Sequence, residues 1–307
     1  MRVLILGKGL VGKALSERLS RNQALEVKSI GRLDCDLRRL DAVTELFKQE
    51  KPDTCIFAAG VVGGIEKNLS APADLILENS RIIINVIEQL AFQKIPQLIN
   101  LAPACVYPSD LNRRMVPTDL FMSPMESSSL PYSTSKLAGI VMVDAIRAQH
   151  QRNWISLIPT NLYGDNIALE SHKAHVIPAL IKKFTEAKIK GLDTLELLGD
   201  GTPIREFLHV DDLAEAVSKV LEVGPRANGI INIAGTDETS IADLADLIKG
   251  IVGFEGDIVF SGDGKNGAPR KLLDGTRIQD LGWNPKITLD AGLRQIFKIV
   301  DQSRASH

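Results

Sequence analysis

Arg2-Val-Leu-Ile-Leu6-Gly7-Lys8-Gly9-Leu10-Val11-Gly12-Lys-Ala-Leu-Ser-Glu-Arg-Leu-Ser-Arg21 is the stretch that decides the fold. A short apolar run (2–6) reads as a buried strand, and the segment 11–21 carries apolar residues at helical spacing. Between them glycine recurs as Gly-x-Gly-x-x-Gly. In a strand-turn-helix setting those glycines permit a tight turn and let backbone amides approach a pyrophosphate at the helix N-terminus. The plainer account is a glycine turn kept only for packing.

Working outward, the pattern repeats. Strands are predicted at 2–6, 26–30, 54–57, 97–101 and 154–158, alternating with helices at 11–21, 40–49, 73–92 and 131–150. Such alternation predicts parallel βαβ winding. The expected fold class is α/β, a Rossmann-type doubly wound parallel sheet. In such sheets ligands gather at the carboxyl ends of strands, here 7–12, 58–64, 102–108 and 159–165. Beyond residue 164 the alternation loosens into a helix at 175–188, a strand near 195–198, a polar knot at 203–212 followed by another helix, a buried strand at 230–234, and helices at 241–252 and 289–300. We expect a dinucleotide-binding part over 1–164, rejoined by 208–234. A smaller, discontinuous substrate-binding lobe then comes from 165–207 and 235–307.

The bulk numbers exclude several classes. A chain of 307 residues buries a sizeable core. A net charge of -2 provides no general field for nucleic acid or anionic lipid, so any phosphate recognition is local. No apolar run approaches the roughly 20 residues that span a bilayer, and the N-terminus enters a strand at once, so a cytoplasmic protein is expected. Cys35, Cys55 and Cys105 are an odd count without metal-type spacing, which supports neither a disulfide framework nor a metal site.

Tyr132-Ser-Thr-Ser-Lys136 sets a phenol one helical turn from an ammonium. The cation is expected to pull the Tyr132 phenol down from about 10 toward the range where it trades protons with a carbonyl. That suits carbonyl reduction beside a nicotinamide; an ordinary amphipathic helix is the plainer account. Cofactor choice depends on the end of the second strand, Val27-Lys-Ser-Ile-Gly-Arg32, where no acid stands to hold a ribose 2′-hydroxyl. Arg32 instead suits a 2′-phosphate, so NADP(H) is preferred over NAD. Asp36 is a candidate adenine contact or an exposed loop aspartate.

Together these pieces resemble the extended short-chain dehydrogenase/reductase family. Cys105-Val-Tyr107-Pro108, Pro159-Thr-Asn161-Leu-Tyr163-Gly164, Pro178-Ala-Leu180 preceded by His175, Arg205-Glu-Phe-Leu-His209-Val-Asp211-Asp212, Val62-Gly-Gly-Ile65 and Ala268-Pro-Arg-Lys271-Leu272 narrow the resemblance to the GDP-L-fucose synthase family. It covers nearly the whole chain, about 4–297. The resemblance implies an NADPH-dependent enzyme that inverts C3 and C5 of a GDP-4-keto-6-deoxy-hexose and then reduces the C4 ketone.

Protons at C3 and C5 are acidic because they lie α to the ketone, so inversion needs a base and an acid. By resemblance Cys105 is the base and His175 the acid, while Tyr132 protonates the C4 oxygen and Lys136 also holds the nicotinamide ribose. Without the family, Cys105 reads as a small buried apolar residue and His175 as a solvated histidine at a helix start. The resemblance places cofactor contacts at Gly7, Lys8, Gly9, Leu10, Val11, Gly12, Arg32, Asp36, Leu101, Ala102, Lys136, Pro159, Thr160, Asn161, Leu162 and His175. It places GDP-sugar contacts at Lys183, Leu198, Arg205, Asn266 and Lys271. It also implies a homodimer through the two long helices.

The chain departs from that pattern at Pro103, which stands four residues before Tyr107, where the superfamily has a serine that hydrogen-bonds the substrate carbonyl. Proline has neither hydroxyl nor N–H. Losing such a donor costs about 10²- to 10³-fold in rate, so another group, Ser133 or Thr134, replaces it or reduction is impaired. The first glycines are spaced one residue closer than the family's Gly-x-x-Gly-x-x-Gly, the 163–166 loop is shortened, and Leu198 stands where tryptophan is common. An epimerase with weakened reduction, an enzyme for a related GDP-4-keto sugar, and a non-catalytic NADP-binding sensor are therefore the competing readings.

Overall fold

The computed structural model describes residues 1–165, 176–262 and 267–305. In chain order, β1 (Arg2–Leu6), α1 (Leu10–Ser20), β2 (Glu26–Ile30), α2 (Leu40–Glu50) and β3 (Thr54–Phe57) build the first winding. They are followed by α3 (Ile65–Ser70), α4 (Pro72–Phe92), β4 (Gln97–Leu101), α5 (Leu130–His150), β5 (Asn153–Pro159) and β6 (Asn161–Tyr163). Next come α6 (Val176–Ile189), β7 (Thr194–Leu197), β8 (Ile204–His209), α7 (Val210–Val223) and β9 (Gly229–Ile233). The chain ends with β10 (Glu238–Ser240), α8 (Ile241–Val252), β11 (Asp257–Phe260), β12 (Arg270–Lys271), α9 (Thr276–Asp280) and α10 (Leu289–Ala305).

Six strands form one all-parallel sheet in the order β2-β1-β3-β4-β5-β9. The predicted strand at 230–234 thus lies in this sheet as β9, beside β5. Both faces of the central strands β1 and β3 are buried, which explains their apolar runs. Successive side chains of β1 alternate between two cores. Val3 and Ile5 join Leu15, Leu19, Leu213 and Val217 of α1 and α7, whereas Leu4 and Leu6 join Val43, Phe47, Ile83, Val86 and Leu90 of α2 and α4. Strand order reverses at β1, with β2 on one side and β3 on the other, which opens a crevice beyond the carboxyl ends of β1 and β3.

The second part has its own core, in which Ile177, Ile181 and Phe184 of α6 pack with Leu244 and Ile248 of α8 and Leu293 and Ile296 of α10. Beside it β8 is flanked by β10 and β12 and also pairs with β6. The expected polar knot at 203–212 is therefore corrected: it is β8 running into α7. Its charged residues Arg205 and Glu206 fit a buried strand because each finds a distant partner. Glu206 is fully buried, with its carboxylate 2.8 Å from Arg114 Nη1 and accepting the Leu273 N–H at 3.3 Å. The β8–β12 register sets Arg205 beside Lys271. Segment 109–116 is stitched to this strand pair, since Met115 N donates to Leu272 O at 2.9 Å and Asp274 N to Met115 O at 2.9 Å.

Candidate active site

The glycine turn is shaped by two close approaches. Gly7 has φ +120°, a region that glycine alone enters freely, and its N–H donates to Ile30 O at 2.8 Å. A Cβ on Gly12 would stand 1.8 Å from Gly7 O, so α1 presses directly on the turn. Gly9 differs: a Cβ there meets nothing within 4 Å, and as N-cap of α1 it offers no side chain to the first helical N–H groups. Packing thus accounts for Gly12 but not for Gly9. An uncapped helix start beneath an open glycine is what an anionic group requires, so the turn fits a dinucleotide pyrophosphate.

At the end of β2, Lys8 Nζ lies 2.7 Å from Asp34 Oδ2, which also accepts the Gly31 N–H at 2.7 Å. Asp34 stands four residues past the strand, beyond the segment in which the sequence showed no acid, and is already partnered. Arg32 is exposed beside it. Asp36 is neither exposed nor uncommitted: the Arg38 guanidinium grips it at 2.8 and 2.7 Å and holds its carboxyl down at about 2. Arg38 in turn reaches Glu78 at 3.0 Å.

Tyr132 and Lys136 sit on the first turns of α5. The ammonium is buried, donates to Ala59 O at 3.1 Å, and lies 5.9 Å from both the Tyr132 and Phe57 ring centroids. Its niche is built by Gly60, where a Cβ would stand 2.6 Å from Nζ. Asn79 of α4 pins that niche, its side chain accepting from Val61 N at 3.0 Å and donating to Val61 O at 2.9 Å. Burial pulls the Lys136 ammonium down to about 8 and pushes the Tyr132 phenol up, with the Cys105 thiol adding to the latter. The expectation that Lys136 lowers Tyr132 is corrected here, because desolvation of the phenol dominates and pushes it up.

Leu101 ends β4, buried Ala102 donates its N–H to Leu157 O at 3.0 Å, and Ala104–Val106 forms a single 3-10 turn. Pro103 caps that turn with φ -78°, a position where its carbonyl is used by Val106 N and no N–H is needed. Tyr107 anchors the turn from below, donating its hydroxyl to Asn232 Oδ1 at 2.6 Å. Cys105 is half-buried; burial pushes its thiol up, while Lys271, a hydrogen bond with Ser133, and Lys136 act the other way and Glu126 adds to the rise.

Ser133 is buried and also donates to Ser129 Oγ at 3.2 Å, whereas Thr134 is exposed and donates to Leu130 O at 2.7 Å. Of the two hydroxyls considered as stand-ins at Pro103, that of Thr134 is turned away and that of Ser133 serves Cys105.

The second part contributes cations. Lys271 Nζ is 3.1 Å from Glu126 Oε2, with side chains only 12% and 24% exposed. Arg205 donates to Ile204 O at 2.9 Å and Ala268 O at 2.7 Å, and desolvation makes its guanidinium somewhat easier to deprotonate while Glu126 opposes this. Cys105, Ser133, Tyr132, Lys136, Lys271, Arg205 and Glu126 thus converge.

Thr160 and Asn161 both donate their side chains to Glu206 O, at 3.0 and 2.8 Å, so those polar atoms tie β8 to the end of β5. Pro159 closes β5, Leu162 packs on the main core, Lys183 is exposed on α6, and Leu198 is 66% exposed after β7. No contact of Lys183 or Leu198 with the cluster is seen among the described residues. His175 and Asn266 lie outside the described residues. Glu126, Asn79 and Arg114 were not singled out from sequence. Only Asn79 left a trace, a polar residue inside the apolar stripe of α4.

Residues 3–234 match the profile of the NAD dependent epimerase/dehydratase family. The chain is 38% identical over 299 residues to GDP-L-fucose synthase 1 of Arabidopsis thaliana, covering 96% of this chain and 92% of that protein. Among solved structures, a GDP-6-OMe-4-keto-L-xylo-heptose reductase from Campylobacter jejuni superposes with a TM-score of 0.91 at 28% identity, covering 98% of each chain. A GDP-mannoheptose C4 reductase from the same organism, solved with NADP bound, gives 0.85 at 30% identity over 98% of each chain.

Proposed function

The chain belongs to the NAD dependent epimerase/dehydratase family, and from that premise we propose that it is an NADPH-dependent epimerase/reductase acting on a GDP-4-keto-6-deoxy-hexose, like the GDP-L-fucose synthases it resembles. The observation that carries the proposal is the convergence of a phenol, a buried ammonium and a half-buried thiol with two cations from the second part. A dinucleotide fold alone needs only the glycine turn. The added groups match the separate demands of proton exchange next to a ketone, proton delivery to its oxygen, and neutralisation of a diphosphate.

Gly7, Lys8, Gly9, Leu10, Val11 and Gly12 hold the pyrophosphate of NADPH, with Arg32 at its 2′-phosphate. Asp36, Leu101, Ala102 and 159–162 line the remainder. When bound, the cofactor supplies a hydride to C4. Cys105 removes protons at C3 and C5; Lys271 and Lys136 favour its thiolate. His175 returns the proton on the opposite face. Tyr132 gives its proton to the C4 oxygen, a task that suits a phenol kept neutral by burial. Lys136, near 8, is mostly cationic at neutral pH and stabilises the tyrosinate left behind. Arg205 and Lys271, with Lys183, Leu198 and Asn266, receive the GDP moiety. Residues 1–164 with 208–234 form the cofactor part, and 165–207 with 235–307 the substrate lobe.

A homodimer and a cytoplasmic location belong to the same reading. Ile84, Ile87, Ala91, Phe92, Met142 and Ile146 of α4 and α5 line an apolar groove of about 560 Å³. Phe92 there is 77% exposed. Among the described residues no helix is long and apolar enough to cross a membrane.

The test is incubation with NADPH and GDP-4-keto-6-deoxy-mannose in deuterated water, following NADPH absorbance and label at C3 and C5. Tyr132→Phe abolishes NADPH oxidation and keeps label incorporation; Cys105→Ala abolishes the label. Oxidation of NADPH at the wild-type rate by Tyr132→Phe refutes the assigned proton donor.

A further inference from the structure

Glu126 is an acid in a place built for an anion. It caps the 3-10 turn Ser127–Ser129, and the adjoining bridge between Pro108 and Met125 fixes it beside the Cys105 segment. Its Oε1 accepts the Ser128 hydroxyl at 3.0 Å and its Oε2 lies 3.1 Å from Lys271 Nζ. A Cβ on Gly267 would stand 3.2 Å from both Glu126 Oε1 and Arg205 Nη2, so carboxylate and guanidinium border the same point. Burial works against ionisation, yet Lys271 and Arg205 hold the carboxyl below its usual range. The carboxylate therefore sits ionised against Lys271 and beside Arg205, the two cations that, on the reading above, receive the diphosphate.

We propose that Glu126 is an internal counter-anion, which occupies the Lys271–Arg205 pair without ligand and which a nucleoside diphosphate must displace. This rests on the proposed function for the role of those two cations and goes beyond it in assigning Glu126 a part in specificity. An anion entering this pair exchanges one charged contact for another, so a single phosphate gains little. A diphosphate, with more charge and two groups to span both cations, gains more. The carboxylate thus trades affinity for discrimination, in the manner of specificity built from competing contacts. It also stands close enough to oppose ionisation of Cys105.

The test compares the full chain with Glu126→Gln, which keeps the length and the Ser128 contact but not the charge. Dissociation constants for GDP, UDP and GMP are measured calorimetrically. Alkylation of Cys105 by iodoacetamide is followed against pH, with Cys105→Ala as the reagent control. The inference expects Glu126→Gln to bind the diphosphates about tenfold more tightly, to narrow the preference for GDP over GMP, and to shift the Cys105 alkylation midpoint to lower pH. Glu126→Asp, which keeps the charge on a shorter reach, falls between. Equal or weaker diphosphate binding by Glu126→Gln overturns the inference, since it would make Glu126 a support for Lys271. Wild-type protein that prefers UDP to GDP would sink the GDP assignment, with the Glu126 comparison still decided on UDP.

Discussion

Replacing Gly12 with alanine separates packing from cofactor binding at the N-terminal turn. On helix propensity alone the change is favourable by about 1 kcal/mol. The contact geometry reverses that sign. The new Cβ would stand 1.8 Å from Gly7 O and 2.6 Å from Gly7 C, both backbone atoms, whereas real Cβ contacts do not fall below 3.0 Å. Relief requires α1 to move about 1.2 Å from the turn, which would disturb its packing on α7 and the Gly7–Ile30 hydrogen bond. Overpacking of this kind costs about 1–3 kcal/mol, and more where the clash is with backbone. Thermal unfolding should therefore fall by several degrees, roughly 2–4 °C per kcal/mol for a chain of this size or slightly less. NADPH affinity, read by fluorescence titration, should fall with it. Gly9→Ala is the partner experiment, because its Cβ meets nothing within 4 Å. Unfolding should move little, by the few tenths to about 1 kcal/mol that alanine costs at an N-cap, while NADPH binding weakens at least tenfold because the methyl enters the path of the pyrophosphate. An unchanged melting temperature for Gly12→Ala would refute the close approach. Wild-type NADPH affinity for Gly9→Ala would refute the turn as the pyrophosphate site.

Further outcomes come from the site and its supports. Because Lys136 titrates near 8 in the folded chain, below its ordinary 10.5, the rate of reduction should fall as pH rises through about 8, when the cation beside Tyr132 is lost; stopped-flow NADPH oxidation from pH 6.5 to 9.5 checks this. The same depressed value means the unfolded chain binds the extra proton between 8 and 10.5, so this group makes stability rise with pH across that window. Arg114→Met leaves buried Glu206 with backbone N–H partners only and should cost about 2 kcal/mol, below the range of about 3–5 for a fully buried pair because Arg114 is partly exposed. Burial already raises the Glu206 carboxyl, and losing Arg114 raises it further, so the deficit in denaturant unfolding should be largest at neutral pH and shrink as pH falls and the group protonates. Pro103→Ser should speed reduction if a carbonyl donor is limiting, and unchanged single-turnover NADPH oxidation would show that another group already fills that role.

Strands whose residues are apolar on both faces were legible from sequence, since Leu4 and Val3 both face helices and leave no polar alternation to misread. β8 was not, because Arg205, Glu206 and His209 make it look like a loop. Its buried Glu206 is accommodated by Arg114 and Leu273, which are 92 and 67 residues away and leave no local signal. The chemistry followed the same division. The spacing of Tyr132 and Lys136 brought phenol and ammonium near one another, but the sign of the tyrosine's shift depends on desolvation, which spacing does not encode. Glu126 stayed hidden because a lone glutamate before three serines reads as an ordinary turn. Only the strand register that brings Lys271 beside Arg205 gives it meaning.

The place of β9 at the margin of the six-stranded sheet bears on how the chain is made. Until residue 233 has left the ribosome, β5, buried along nearly its whole length in the finished protein, has an open flank of unpaired amides and carbonyls. A fragment ending near 164 would hold every glycine of the dinucleotide turn and still present that sticky flank. Expression as an isolated cofactor half should therefore yield aggregates, whereas stopping after β9 should not expose it.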